Sequence, residues 1–302
     1  MRSFQFKPRH PVARLAFTPD GRHVVTCQPH TAVCVRDVET GDAVRTIKTP
    51  GVTNFYSVVF EPDGDRTLVT SNRNAVCFFL SKASESVFSG VQSIAAFTTS
   101  RLRFVVQSRV IDCDFIPFET RYLVAERHQF SSSALLVGLT CDGKYSIGVR
   151  ERNRPVLIAV EAGTIAVELD HTSCTKRPVS VTAGPDRVAL CDGRTLRVFD
   201  TSGLADVVPG KRSKPVLPAM LTVDAPDGVE AWSPPVAFTP DGNGMLVGGP
   251  RERVQLWDVP SREKRCEWNW RLEKLMSLAV APDGLTAAAG GRLGRVVVWD
   301  LE

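Results

Sequence analysis

Six short segments of this chain each set an arginine between two apolar runs. They are Ser71-Asn72-Arg73-Asn74, Gln107-Ser108-Arg109, Arg150-Glu151-Arg152-Asn153-Arg154, Cys191-Asp192-Gly193-Arg194, Pro250-Arg251-Glu252-Arg253 and Gly291-Arg292-Leu293-Gly294-Arg295. A guanidinium is planar and permanently charged, and it donates two parallel hydrogen bonds to a carboxylate or a phosphate. Gathered on one surface, Arg73, Arg109, Arg150, Arg152, Arg154, Arg194, Arg251, Arg253 and Arg292 would hold an acidic or phosphorylated segment of a partner. The plainer alternative is a set of solvated turn residues, some neutralised by nearby acids such as Glu151 and Glu252.

Other reactive residue types are dispersed. His10, His23, His30, His128 and His171 show no metal-ligand spacing on one element. The eight cysteines form no Cys-x-x-Cys pair, which argues against a zinc site or a disulfide framework. Cys34 and Cys77 share a position in the repeat described below and read as small buried hydrophobes rather than nucleophiles. Gly290-Gly291-Arg292-Leu293-Gly294 lies between two strand-like runs, whereas a phosphate loop needs a helix after it. The expectation is no catalytic residue, no cofactor and no metal.

The elements that must position the arginines follow from an internal repeat. LAFTPDG at 15–21, VVFEPDG at 58–64, VAFTPDG at 236–242 and LAVAPDG at 278–284 are variants of one segment, with a weaker LTCDG at 139–143. Asp20, Asp241 and Asp283 are each followed 17 residues later by another Asp, at 37, 258 and 300. Each unit reads as four short strands: an apolar run, a Pro-Asp-Gly turn, a second run, a polar loop, a third run ending in Asp, and a fourth after a further turn. The arginines fall in the loops between second and third strands.

A four-stranded unit of about 43 residues with Trp-Asp closing its third strand resembles a WD40 repeat. Trp257-Asp258 and Trp299-Asp300 carry the resemblance, with Arg36-Asp37 and Phe199-Asp200 as relaxed forms. It implies an all-β chain, a seven-bladed β-propeller of four-stranded antiparallel blades, as one domain over 1–302. Units start near 11, 52, 91, 133, 175, 232 and 274, and the third has Thr98-Thr99-Ser100 in place of the turn. A Pro-rich stretch at about 204–235, which holds six prolines and the basic Lys211-Arg212-Ser213-Lys214, reads as an extended outer strand or a loop insertion. The last unit stops after its third strand, and SFQFK at 3–7 is a spare strand, so the N-terminal strand is expected to complete the last blade. His10, His128 and His171 fall near the family's structural histidine, although no blade shows its full hydrogen-bonding tetrad.

The resemblance also implies that the second-to-third-strand loops share the face that most often binds partner peptides. The leading expectation is a non-catalytic scaffold for a protein or peptide. Alternatives are a hydrolase- or lactonase-type propeller with a site in the central channel, or nucleic-acid binding through the basic loops. The net charge of +4 over 302 residues is too mild for a dedicated nucleic-acid binder. No apolar run is long enough for a membrane helix, and MRSFQFKPRH lacks a signal-peptide core, so a cytoplasmic setting is expected. Trp268 and Trp270 alternate on a fourth strand, either packed on the neighbouring unit or forming an exposed contact patch.

Overall fold

A computed structural model describes residues 2–5, 10–49, 51–61, 64–71, 74–81, 85–89, 95–97, 102–106, 109–115, 122–128, 135–170, 180–206, 215–226 and 232–301. Side chains are described for most of these, though not for those at 2–5, 56, 74–76, 85–89, 95–97, 102, 104–106, 109–115, 122–128, 135–136, 152, 205–206 and 250. These residues fold into seven antiparallel meanders, and three short 3-10 turns are the only helical elements among them.

The first sheet runs Arg14–Phe17, His23–Gln28, Ala32–Asp37, Ala43–Lys48; the second Phe55–Phe60, Arg66–Ser71, Asn74–Phe79, Glu85–Ser89. The third runs Ala95–Phe97, Leu102–Val106, Arg109–Phe115, Tyr122–His128; the fourth Leu135–Leu139, Tyr145–Val149, Pro155–Ala159, Thr164–Leu169. The fifth runs Ser180–Gly184, Arg187–Cys191, Thr195–Asp200, Leu221–Asp224; the sixth Val236–Phe238, Gly244–Gly248, Arg253–Asp258, Glu263–Asn269. The seventh has Leu275–Val280, Thr286–Gly291 and Arg295–Asp300, and its fourth strand is Arg2–Gln5, paired antiparallel from Arg2↔Val298 to Gln5↔Arg295.

The sheets belong to two compact units, Met1–Ser93 with Pro234–Glu302, and Ile94–Ser233. In the first unit the opening strands of the sixth, seventh, first and second sheets lie side by side in that order. Between the seventh and first sheets Val12, Leu15, Phe17, Ala288, Val296 and Val298 form a buried apolar cluster. Val25, Val33, Ile47, Val69 and Phe78 do the same between the first and second. In the second unit Ile147, Leu157, Val167, Val188, Leu190 and Phe199 join the fourth and fifth. Full burial of a Phe or Leu side chain contributes about 2–3 kcal/mol. Second strands such as His23–Gln28 and Thr286–Gly291 are buried on both faces, which is why they read as continuous apolar runs without alternation. Fourth strands such as Ala43–Lys48 are mostly exposed.

The repeated turn is a hydrogen-bonded device. Thr18 Oγ1 donates to Asp20 Oδ1 at 2.5 Å and accepts the His23 N–H at 3.0 Å, while Asp20 Oδ1 accepts the Arg22 N–H at 3.0 Å. Thr140, Asp142, Lys144 and Tyr145 repeat this network, as do Thr239, Asp241, Asn243 and Gly244. Gly21, Gly143 and Gly242 sit at φ of 70°, 69° and 71°, where a side chain is strained. The Asp 17 residues on closes the third-to-fourth-strand turn: Asp37 Oδ1 accepts the N–H groups of Glu39 and Thr40, each at 2.8 Å, and Asp258 accepts that of Ser261 at 2.9 Å.

These bonds lower the carboxyl pKa values. At Asp241 the Thr239 hydroxyl is the main cause. At Asp20 and Asp142 burial acts in the opposite direction, and the bonds from Thr18 and Thr140 and from the turn N–H groups outweigh it. A folded-state pKa below the ordinary 3.8 gives stability that is present above that value and lost as pH falls through the folded value. The melting-temperature gap between wild type and Asp241→Asn is therefore expected to be widest near neutral pH and to shrink on acidification below 3.8. Thermal melts across that range check it; a constant gap would contradict it.

The segment at 204–235 is only partly an insertion. Val216–Leu217 adds a parallel strand to the edge of the fourth sheet, and Leu221–Asp224 is the fourth strand of the fifth. Lys211 to Lys214 and Thr98 to Ser100 lie outside the described residues.

Candidate partner-binding surface

Strands of a meander alternate in direction, so the second-to-third-strand turn and the crossover from a fourth strand to the next first strand emerge at the same end of the sheets. The described arginines of those turns divide into two groups. Arg150 and Arg154 both reach Glu168, at 3.5 and 4.0 Å, and Arg253 reaches Glu267 at 2.7 Å. The neutralising acids stand on fourth strands of the same sheets, rather than being the expected Glu151 and Glu252. Arg194, Arg251 and Arg292 are exposed at their turns, and their guanidiniums make no ion pair among the described residues.

Two expected loop residues prove to be strand residues: Arg109 begins the third strand of the third sheet and Arg253 that of the sixth. Both loops are shorter than the charge pattern suggested, because ladder pairing extends to the turn. The side chains of Arg109 and Arg152 lie outside the described set, as does Arg73 entirely.

The turns are held firmly. Asp192 Oδ1 accepts the N–H groups of Arg194 and Thr195 at 3.0 and 2.8 Å, and its Oδ2 accepts from Arg197 Nη1 at 3.1 Å. Trp232 N–H donates to Gly193 O at 2.8 Å, and its carbonyl accepts the Cys191 thiol at 3.2 Å. In the Gly290-Gly291 segment a Cβ on Gly290 would stand 2.6 Å from Ser277 Oγ and 2.7 Å from Val12 Cγ1. The first glycine thus serves close packing within a strand.

One feature of the surface escaped the sequence reading. Arg271 and Lys274 lie in the crossover from the sixth to the seventh sheet, at the same end as Arg251 and Arg292, and both are exposed. The segment WRLEK at 270–274 carries that charge openly, but attention to second-to-third-strand loops alone passes over it.

Trp268 and Trp270 pack. Their rings stack at 6.4 Å, and Trp299 of the seventh sheet lies 5.7 and 5.3 Å from them. Trp257 Nε1 donates to Gln255 at 3.1 Å, so it takes no part in a tetrad, and Trp299 Nε1 is buried with no hydrogen-bond partner among the described residues. Cys34 and Cys77 are buried, and burial pushes the Cys191 thiol up to about 11, away from nucleophilic character. Among the described residues no group of three or more His, Cys, Asp or Glu could hold a metal ion, and no helix is long and apolar enough to cross a membrane.

No protein-family model matches the sequence, and no curated protein matches it. Solved structures do. The Cps50 (Swd1) beta-propeller domain from Myceliophteria thermophila is 14% identical with a TM-score of 0.76, each chain covering 100% of the other. A chain of the Mitotic Checkpoint Complex is 13% identical with a TM-score of 0.71, over 99% of this chain and 91% of that one. With its meanders, repeated turns and Trp-Asp strand ends, the chain has the fold of a WD40-type β-propeller.

Proposed function

We propose that this chain is a non-catalytic, cytoplasmic binding platform, a single seven-bladed propeller that uses no cofactor. Its partner is a protein carrying an acidic or phosphorylated segment, held at the end of the sheets where second-to-third-strand turns and fourth-to-first crossovers emerge. One observation carries the reading: Arg251 and Arg292, on adjacent sheets of one unit, are exposed at their turns with no acidic partner among the described residues. A similar chain comes from a structure of the Mitotic Checkpoint Complex, a multi-component assembly, which supports protein binding at a coarse level.

The experiment is capture of a crosslinked partner by the full chain, compared with Arg251→Glu/Arg292→Glu and, separately, Arg194→Glu. Capture should fall at least about tenfold in the double variant, since a reversed charge repels the acid it formerly held. Undiminished capture by both variants overturns the reading. A ligand that proves to be nucleic acid, with steep loss of affinity as salt rises, replaces it.

A further inference from the structure

The junction of the sixth and seventh sheets concentrates both charge and backbone strain. Three segments meet there: the turn at 249–252, the crossover at 270–274 and the turn at 291–294. Short contacts tie them together. Arg292 N–H donates to Lys274 O at 2.9 Å, Arg295 Nη1 to Arg271 O at 3.4 Å, and Asn269 Nδ2 to Arg251 O at 3.3 Å. Asn269 Oδ1 accepts the Arg271 N–H at 3.1 Å. The approach is tight enough that a Cβ on Gly291 would stand 2.6 Å from Leu272 O.

Arg251, Arg271, Lys274 and Arg292 are exposed here, and none forms an ion pair among the described residues. Glu267 is engaged by Arg253 and Lys264, which leaves Glu252 and Glu273 as the other local acids. Eight described non-glycine residues have positive φ, and four lie in this one patch: Arg251 at 53°, Glu252 at 65°, Arg271 at 49° and Glu273 at 65°. Each such residue costs on the order of 1 kcal/mol, and glycine would relieve it. Charged side chains held in strained turns on a surface gain nothing for the core. The strain is consistent with side chains that must be aimed.

We infer that this junction is a subsite for a phosphorylated serine or threonine of a protein partner, gripped by Arg251, Arg271 and Arg292. The inference deepens the proposed function and rests on it. A carboxylate is satisfied by one guanidinium fork, whereas a phosphate ester near neutral pH carries up to two charges and three acceptor oxygens and can engage two or three. Three arginines from three separate segments, in slight excess over the local acids, match the phosphate better. Lys274 adds charge without a fork.

The test uses the intact chain and three peptide libraries of equal composition, with a fixed central phosphoserine, serine or glutamate, and measures binding by fluorescence anisotropy. The phosphoserine library should bind at least about tenfold more tightly than the glutamate library, with the serine library weakest. Arg251→Ala/Arg271→Ala/Arg292→Ala should abolish the preference. The corresponding triple Lys variant should lose most of it while keeping the charge, which separates fork geometry from field strength. An unchanged circular dichroism melt shows that each variant is folded, and Arg22→Ala, at the first-to-second-strand turn of the first sheet, is a control that should bind as wild type. Equal binding of phosphoserine and glutamate libraries, both lost in the triple variant, overturns the phosphate subsite and leaves the acidic-partner platform standing. No binding of any library, or binding unaffected by the triple variant, overturns the subsite, and the capture experiment then judges the platform separately. Displacement of the phosphoserine library by a single-stranded oligonucleotide at equal charge concentration also overturns it.

Discussion

Replacing Asp192 by alanine is expected to destabilise the chain by about 3–5 kcal/mol, because it breaks a buried ion pair with Arg197 and removes the acceptor of two turn N–H groups. Asp192 and Arg197 are 6% and 7% exposed and meet at 3.1 Å across the turn that opens the third strand of the fifth sheet. The same carboxylate accepts two turn N–H groups, from Arg194 and Thr195. Alanine removes the charge partner and strands both donors. Asparagine keeps an acceptor for the turn and should cost less. Asp192→Ala/Arg197→Met should recover much of the loss, since removing both buried charges is far less costly than removing one. Urea unfolding of the single and double variants measures this, and a loss under about 1 kcal/mol for Asp192→Ala would show that Arg197 does not depend on it.

Deleting residues 1–7 should lower the melting temperature by about 8 °C. About four backbone hydrogen bonds are lost at about 1 kcal/mol each, and a chain of this size shifts about 2 °C per kcal/mol. The deletion leaves Arg295–Asp300 as an edge strand, with Val296, Val297, Val298 and Trp299 beside the vacancy. An unpaired apolar edge is a template for association, so the truncated chain should also elute at larger apparent size. A synthetic peptide of residues 1–9 should restore the melt. Scanning calorimetry with size-exclusion chromatography reads both effects; an unchanged melting temperature would mean that the N-terminal strand adds nothing to the seventh sheet.

Much of the fold is legible because its turns are local chemistry. Thr-Pro-Asp-Gly states its own hydrogen bonds, and the following Asp marks where the third strand ends, so the first and sixth sheets stand out in the sequence, as does the seventh through Ala281-Pro282-Asp283-Gly284 and Asp300. The fourth strand of the fifth sheet was legible only as an outer strand or insertion somewhere within 204–235. Leu221–Asp224 follows a long Pro-rich connection and pairs through non-local contacts that no turn motif announces. The candidate surface divides similarly. Turn arginines can be found by position in the repeat, but their neutralisation cannot. Glu168 and Glu267 lie on fourth strands, 14–18 residues from Arg150, Arg154 and Arg253, and only the pairing register brings them close. Arg271 and Lys274 were missed for a topological reason: direction alternates at every strand, so a crossover shares an end with a turn that lies one sheet away in sequence.

The central claim is that binding occurs at the arginine-bearing end of the sheets, and hydrogen-exchange mass spectrometry of the chain with and without its crosslink-identified partner tests it most directly. Protection is predicted at 249–253, 270–274 and 291–295, with the Thr-Pro-Asp-Gly turns at 18–23 and 239–244 unchanged. Protection confined to those opposite turns, with the arginine segments exchanging as in the free chain, would contradict the account.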